Sequence, residues 1–145
     1  APSYSPDGDF ITFESDRSGS QKIYIMNLKT KKVKRISFGK GKYATPVWSP
    51  RGDLIAFTKL LGGEFYIGVM YADGKGERVV YKSYLVEGPS WSPNGRVIAF
   101  YNQSKFSGGK ISNPKVKMID LTGINLRELV TPSDASDPAW SGLLP

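Results

Sequence analysis

The sequence has 145 residues, of which 39% are hydrophobic and 12% aromatic, and its formal net charge is +7. This length and apolar content suit one ordinary globular domain and exclude a disordered chain. The chain contains no cysteine and no histidine, which excludes disulfide frameworks, Ser-His-Asp or Cys-His catalysis and the usual zinc sites.

A turn signal opens the chain and recurs along it. Residues 2–8 read Pro-Ser-Tyr-Ser-Pro-Asp-Gly, residues 46–52 and 89–95 are near copies, and residues 138–142 are a truncated fourth copy. The aromatic residues of the four copies, which follow one another at intervals of 44, 43 and 49 positions, are Tyr4, Trp48, Trp91 and Trp140. Periods of about 20 to 50 residues are typical of solenoids, propellers and other repeat arrays.

Each copy predicts a β-hairpin. Proline presets φ for the first central position of a tight turn, and glycine adopts positive φ without steric cost. An apolar strand follows each turn, at residues 10–13, 54–57 and 97–100. Short runs of β-branched and aromatic residues bounded by turns are typical of strands that are buried on both faces.

Two further strands complete each repeat, after a polar loop. In chain order we predict the loop 15–20 with strands 23–28 and 33–37, the loop 59–64 with strands 66–71 and 77–81, and the loop 102–114 with strands 116–121 and 125–130. No stretch combines a sustained helical period with helix caps. The sequence therefore predicts an all-β fold of four-stranded antiparallel units.

Units of this kind are typical of β-propeller blades, with a solenoid of meanders as the alternative. The antiparallel strands and the buried second strand favour the propeller. We predict three blades, at residues 1–44, 45–87 and 88–135, and an extra innermost strand at 136–145 that belongs to a further blade. Because propellers have about four to eight blades, we expect a partial propeller. A chain that begins at Ala1 inside a repeat is expected to be the C-terminal half of a larger propeller.

Patterns that suggest other chemistry are weak. Residues 39–44 match a dinucleotide fingerprint but open no helix, and Asp7 is explained by its turn rather than by a calcium loop. Lysines and arginines concentrate between residues 29 and 42, which suits nucleic acid, an anionic lipid or a charged edge strand. No apolar run reaches about 18 residues, the length of a membrane span. We expect no cofactor, metal site, enzymatic activity, nucleic-acid binding or membrane insertion.

The remaining candidate is a binding surface made by loops. The loops that lead into the innermost strands, at residues 39–45, 82–88 and 133–137, should share one face with the loops between second and third strands. They contain Tyr43, Tyr84, Glu87, Asp134 and Asp137. Polar, tyrosine-bearing loops suit a protein-recognition surface, and ordinary solvated loops are the alternative.

The repeat resembles that of the TolB propeller family. The resemblance rests on the Pro-x-Trp-Ser-Pro-x-Gly turn followed by Ile-Ala-Phe, on residues 15–19 and 23–28, and on the ending at residues 137–141 near the terminus. It covers nearly the whole chain and corresponds to half of the six-bladed domain of that family. Related repeats occur in the propellers of prolyl-oligopeptidase-like enzymes and of tricorn protease. A gating propeller of a serine peptidase is therefore the alternative function.

The resemblance implies a non-enzymatic periplasmic scaffold of the Tol-Pal cell-envelope system, with roles in outer-membrane integrity, cell division and protein transport. It implies binding of the lipoprotein Pal at the mouth of the propeller channel, recruitment by some colicins, and binding of TolA through an N-terminal part outside these residues. The residues that stand at the family's Pal-binding positions, just before the prolines of the innermost strands, are Tyr43, Ala44, Thr45, Val86, Glu87, Ser136 and Asp137.

A partial ring also predicts self-association. Its two outer blade faces have no neighbour, and exposed apolar faces of that kind drive association. We expect that two copies can pair head to tail into one ring.

Overall fold

Three four-stranded antiparallel sheets make up the protein in the computed structural model, which describes residues 2–129 and 138–140. The first sheet contains β1 (Ser3–Tyr4), β2 (Phe10–Ser15), β3 (Lys22–Asn27) and β4 (Val33–Arg35). The second contains β5 (Lys42–Trp48), β6 (Leu54–Leu61), β7 (Glu64–Tyr71) and β8 (Arg78–Ser83). The third contains β9 (Leu85–Trp91), β10 (Val97–Gln103), β11 (Lys115–Asp120) and β12 (Arg127–Leu129). Helical structure among the described residues is limited to one 3-10 turn at Ser107–Gly109, and the all-β prediction is confirmed.

The strands of each sheet lie in chain order, so that each sheet is a simple meander. The first strands of the three sheets are neighbours, because β5 contacts both β1 and β9. Four-stranded meanders that pack face to face around their first strands are the blades of a β-propeller. The predicted partial propeller is confirmed.

The Ser-Pro-x-Gly turns form as the sequence predicts. Gly8, Gly52 and Gly95 each donate their backbone N–H to the carbonyl of the serine three residues earlier, at 2.9 Å. The hydroxyl oxygens of Ser5 and Ser92 also accept the backbone N–H of the residue five positions later, at 3.0 Å. These hydrogen bonds fix the start of the second strand in a blade.

The innermost strands run through their prolines, which the sequence did not predict. The strands β5 and β9 begin at Lys42 and Leu85, so the predicted blade boundaries at 45 and 88 fall inside them. In each strand the pairing register shifts around the proline, between Ala44 and Val47 and between Glu87 and Ser90. A β-bulge of this kind leaves residues outside the ladder, which accommodates a proline because it has no N–H to donate.

Two predicted loops are shorter than expected. Strands β6 and β7 meet at Gly62 and Gly63, so most of the predicted loop 59–64 is strand. In the third blade, β10 continues to Gln103, and an isolated bridge pairs Lys105 with Ile111 inside the predicted loop 102–114. The other predicted strands differ from the observed ones by a few residues at their ends.

Two apolar clusters join the blades. One lies between the first and second blades, and its buried members are Ile23, Ile25, Ile36, Tyr43, Trp48, Ile55, Phe57 and Met70. The other lies between the second and third blades, and its buried members are Leu54, Ala56, Ile67, Val69, Val80, Val86, Trp91, Ile98, Phe100 and Ile119. Each cluster draws on two sheets, so the core belongs to the junctions rather than to single blades.

The tryptophans of the repeat link successive innermost strands. The indole Nε1 of Trp91 donates to the carbonyl of Val47 at 2.9 Å, and Nε1 of Trp140 donates to the carbonyl of Ser90 at 3.1 Å. Residues 138–140 therefore lie beside β9 as β9 lies beside β5, although they form no assigned strand. The rest of the predicted strand 136–145 lies outside the described residues.

Candidate functional site

One end of the three sheets carries the loops that the sequence analysis selected. Because strands alternate in direction, the connections between second and third strands project from the same end as the connections into β5 and β9. We call this end the loop face. It comprises the connections at residues 16–21, 36–41, 62–63, 84 and 104–114, together with the adjoining ends of β5 to β9. The opposite end, which carries the Ser-Pro-x-Gly turns, is called the turn face.

Tyr43 is part of the core rather than of an exposed loop. Its side chain has no exposed surface, and its hydroxyl donates to Oε1 of Glu77 at 2.6 Å. The ammonium groups of Lys22 and Lys59 lie 5.0 and 5.1 Å from the centroid of its ring. Burial and the hydrogen bond to Glu77 raise the pKa of Tyr43 above its ordinary value. The side chain supports the innermost strand from within and is not accessible to a partner in this structure.

Ala44 and Thr45 are half-buried in β5, next to the bulge. Thr45 has φ of 48°, which is rare for a β-branched residue. Its N–H donates to Oε2 of Glu14 in the preceding blade at 2.7 Å, and its Oγ1 lies 2.8 Å from Oγ1 of Thr58. These contacts hold Thr45 in a strained conformation, and strain of this kind is concentrated at functional sites in proteins.

The remaining candidate residues differ in their environment. Val86 in β9 has no exposed surface. The backbone of Glu87 belongs to the same strand and pairs with Tyr101, and its side chain lies outside the described structure. Ser136 and Asp137 are also outside the described residues. The structure thus brings Tyr43, Ala44 and Thr45 together in one strand and places Val86 and Glu87 at the matching positions of the next.

Lys22 anchors the connection into β5. Its Nζ donates to the carbonyls of Gly39 and Gly41 at 2.7 and 2.6 Å, and only 7% of the residue is exposed. Burial, followed by the nearby positive charge of Arg35, lowers the pKa of this ammonium group. The connection 36–41 is therefore tied to the first blade by a buried cation.

Sequence analysis missed Glu14 and Lys22, although each is visible as an anomaly. Each is a charged residue in a strand that is otherwise largely apolar. Their partners lie 31 and at least 17 residues away along the chain, so local patterns did not reveal them.

The weak motifs have structural explanations. In the dinucleotide-like segment, Gly39 and Gly41 lie in a connection and the next residues form β5, so no helix follows. The carboxylate of Asp7 accepts hydrogen bonds from Ser5 Oγ and Asp9 N–H at 2.6 and 2.9 Å, and the bond from Ser5 is the main cause of its lowered pKa. Within residues 2–129 and 138–140, no group of three or more acidic side chains is placed to hold a metal ion.

The basic run covers an edge of the first blade. Its residues from Lys29 to Lys34 are exposed and occupy the turn before β4 and the outer strand β4 itself. Lysines on an outer strand prevent edge-to-edge pairing, which fits the structural explanation of the run. The described part of the chain contains no helix that is both long and apolar enough to span a membrane.

Comparison with known proteins places the chain among TolB sequences. The family model described as TolB beta propeller domain matches residues 1–144. The Tol-Pal system protein TolB of Gluconobacter oxydans is 50% identical over 97% of this chain, which spans 41% of that relative. The chain therefore covers less than half the length of this curated relative.

Solved structures agree in fold. The crystal structure of TolB from Acinetobacter baumannii superposes on 95% of this chain and 34% of its own, with a TM-score of 0.79 and 24% identity. The tricorn protease structure superposes on 86% of this chain and 12% of its own, with a TM-score of 0.66 and 16% identity. Likenesses at this level of identity show a common propeller fold alone.

Proposed function

The chain belongs to the TolB β-propeller family, and from this membership we propose that it is part of a non-enzymatic, periplasmic scaffold of the Tol-Pal cell-envelope system. The name of the curated relative supports membership of the Tol-Pal system. The roles that follow are support of outer-membrane integrity and of cell division, and participation in protein transport. The absence of histidine and cysteine from the sequence supports a non-enzymatic role.

We propose that the loop face binds the lipoprotein Pal and is the surface that colicins recruit. Ala44 and Thr45 are the accessible described members of the site, and Glu87, Ser136 and Asp137 continue it at the matching positions of the following repeats. Tyr43 and Val86 support these positions from the core, because neither has exposed surface. TolA binding is assigned to a part of the complete protein outside these 145 residues.

The observation that carries this proposal is the fixed geometry around Thr45. Thr45 is a β-branched residue with a left-handed backbone conformation, and it is held by Glu14 of the first blade and by Thr58 of its own blade. A surface that is ordered before it binds avoids the entropy cost of ordering during association. Support therefore comes from a pre-formed feature at the predicted position.

The gating propeller of a serine peptidase has weaker support. The tricorn structure shares the fold at 16% identity, whereas the TolB relative shares half of its residues with this chain. No feature of the described loop face favours a peptidase.

The outer faces of the first and third blades pack against no further blade among the described residues. Because relatives are more than twice as long as this chain, we propose that further blades of the complete protein cover both faces. Self-association of two copies is the alternative for the isolated 145 residues, and sedimentation at high concentration separates the two: a monomer excludes self-association.

The test replaces residues at the proposed site in the full-length protein and measures binding to the soluble domain of Pal. We expect Glu87→Ala to weaken binding by about 1 kcal/mol or more, as interface contacts do on truncation. Ala44→Trp places a bulky ring at the same site and should weaken binding further.

The control is Arg96→Ala, which changes an exposed residue on the turn face. The thermal stability of each variant is measured first, so that a loss of binding caused by misfolding is recognised. Unchanged affinity for both site variants, or an equal loss for Arg96→Ala, would remove Pal binding from the loop face.

A further inference from the structure

An open groove lies on the loop face between the second and third blades, beside the proposed Pal site. Its volume is about 420 Å³. The residues that line it come from three connections and from the adjoining ends of β7 and β8, and they are Gly63, Glu64, Lys82, Ser83, Tyr84, Ser104 and Lys105. A groove of this size accommodates a few residues of an extended peptide.

Two lysines and one aromatic ring define the chemistry of the groove. Tyr84 is 39% exposed, and Nζ of Lys105 lies 5.7 Å from the centroid of its ring. Nζ of Lys82 lies 3.3 Å from Oε2 of Glu64, and both side chains are about half exposed. An exposed ion pair contributes little to stability, so Lys82 can exchange Glu64 for a carboxylate of a partner at small cost.

Among the described residues, the loop face carries more positive than negative charge. Its exposed cationic residues among those described are Arg17, Lys40, Lys42, Lys82, Lys105 and Lys110, whereas its exposed acidic residues are Asp16 and Glu64. The turn face, by contrast, mixes both signs, with Asp7, Asp9, Asp53 and Asp73 beside its lysines and arginines. Complementary charge steers association and selects partners, which favours an acidic partner for the loop face.

Exposed apolar residues near the groove favour a protein partner over a nucleic acid. Leu61, at the end of β6, and Phe106 and Ile111, in the connection after β10, are exposed beside it. Protein interfaces combine apolar and aromatic contacts with a charged rim. Single-stranded nucleic acid is bound on several stacking aromatic rings, whereas Tyr84 supplies the one ring that lines this groove.

We propose that this groove binds an acidic, extended segment of a protein partner. One carboxylate of the segment displaces Glu64 from Lys82, a second contacts Lys105, and an apolar side chain between them packs on Tyr84. The inference rests on the proposed function in one respect, which is that the partner approaches the loop face.

The experiment measures fluorescence anisotropy of a labelled ten-residue peptide in which Asp and Glu alternate with Ser around one central Leu. The protein is used at full natural length. Lys82→Ser and Lys105→Ser should each weaken peptide binding about fivefold to tenfold, because a close charge pair across an interface is lost. Glu64→Gln should strengthen binding, because it removes the carboxylate that competes for Lys82.

Three controls make the outcome decisive. Lys75→Ser, which changes an exposed lysine on the turn face, should leave affinity within about twofold, as expected for a distant surface charge. A peptide in which Asn and Gln replace all carboxylates should not bind measurably. A single-stranded oligothymidine competitor should not displace the acidic peptide.

The proposal is overturned if the amide peptide binds as well as the acidic one, if Lys75→Ser weakens binding as much as Lys105→Ser, or if the acidic peptide does not bind. Displacement by oligothymidine would instead identify a nucleic-acid site. Failure here is distinguishable from failure of the proposed function. Pal binding without peptide binding overturns only the acidic groove, and peptide binding without Pal binding overturns only the proposed Pal binding.

Discussion

The two junctions between blades use different chemistry at equivalent repeat positions. Tyr43 in β5 and Val86 in β9 occupy matching places, and neither has exposed surface. Tyr43 brings a hydroxyl that requires Glu77 as an acceptor, whereas Val86 lies in an apolar cluster and requires no partner. Both junctions are built on apolar clusters, but the first also contains a buried hydroxyl–carboxylate hydrogen bond at the position where the second has an apolar side chain.

The bulges and the tryptophans also differ between the junctions, and for the tryptophans the polar contact lies at the second junction. Thr45 and Gly88 both have positive φ, at 48° and 66°, but only glycine adopts this conformation without strain. Nε1 of Trp91 donates to Val47, whereas Nε1 of Trp48 is buried without a hydrogen-bond partner among the described residues. The repeat therefore specifies the fold, while its variable positions set the stability of each junction.

The largest expected effect comes from matched glycines in the turns that contact the preceding blade. Gly74 and Gly123 have φ of 87° and 83°. A Cβ at Gly74 would collide with the carbonyl of Ile36, whereas a Cβ at Gly123 would lie 3.4 Å from the carbonyl of Val80. Gly74→Ala should cost about 3 kcal/mol, because left-handed strain of about 1–2 kcal/mol is added to overpacking.

Gly123→Ala should cost only the conformational part, about 1–2 kcal/mol. Denaturant unfolding of both variants gives the comparison. Equal losses would show that the first junction is no tighter than the second at these turns.

The next effect concerns the hydroxyl of Tyr43. Tyr43→Phe removes the hydrogen bond to Glu77 and should lower the free energy of unfolding by about 1.5–3 kcal/mol, as for hydrogen bonds to charged groups. Val86→Thr is the reciprocal change at the apolar junction, and it should cost about 1–3 kcal/mol through an unsatisfied hydroxyl. A neutral result for Tyr43→Phe would show that the hydrogen bond to Glu77 does not stabilise the protein.

Tyr43 also predicts a dependence of stability on pH. Its pKa in the folded protein is raised above the ordinary value of 10.0, first by burial and then by Glu77. The folded state therefore holds the phenolic proton more tightly, and the resulting stability is present below about pH 10 and is lost as pH rises above it. The difference between wild type and Tyr43→Phe isolates this effect from the lysines, and it should shrink above pH 10. A difference that stays constant would contradict the raised pKa.

The smallest effect separates the two tryptophans. Trp48→Phe and Trp91→Phe remove similar volumes from buried sites, but only Trp91 loses a hydrogen bond. Trp91→Phe should therefore be the more destabilising by about 0.5–1.5 kcal/mol, the net contribution of one hydrogen bond. The same loss for both would mean that the indole hydrogen bond does not stabilise the second junction.

Local patterns predicted the fold because its determinants are local. The Ser-Pro-x-Gly turns and the apolar runs that follow them each lie within about ten residues, and the hairpins form where these signals occur. The propeller followed from the period of the repeat. The continuation of β5 and β9 through Pro46 and Pro89 was missed, because a bulge depends on pairing with the next strand.

The candidate site was predicted less completely than the fold. Tyr43 was expected on an accessible loop, but it is buried because Glu77 and two lysines surround its ring. Lys59 belongs to β6, Glu77 precedes β8, and Lys22 comes from another blade. Sequence patterns therefore predict which residues lie near a turn. They do not predict whether those residues are exposed, because exposure depends on contacts with distant parts of the chain.

The central claim, that the loop face recognises a Tol-Pal protein partner, is tested most directly by calorimetric titration. The full-length protein is titrated with the soluble domain of Pal at low and at high salt. We predict saturable heat that weakens with salt but persists, because apolar contacts accompany the charged ones. No heat from a folded, full-length protein, or heat that disappears entirely at high salt, would contradict the claim.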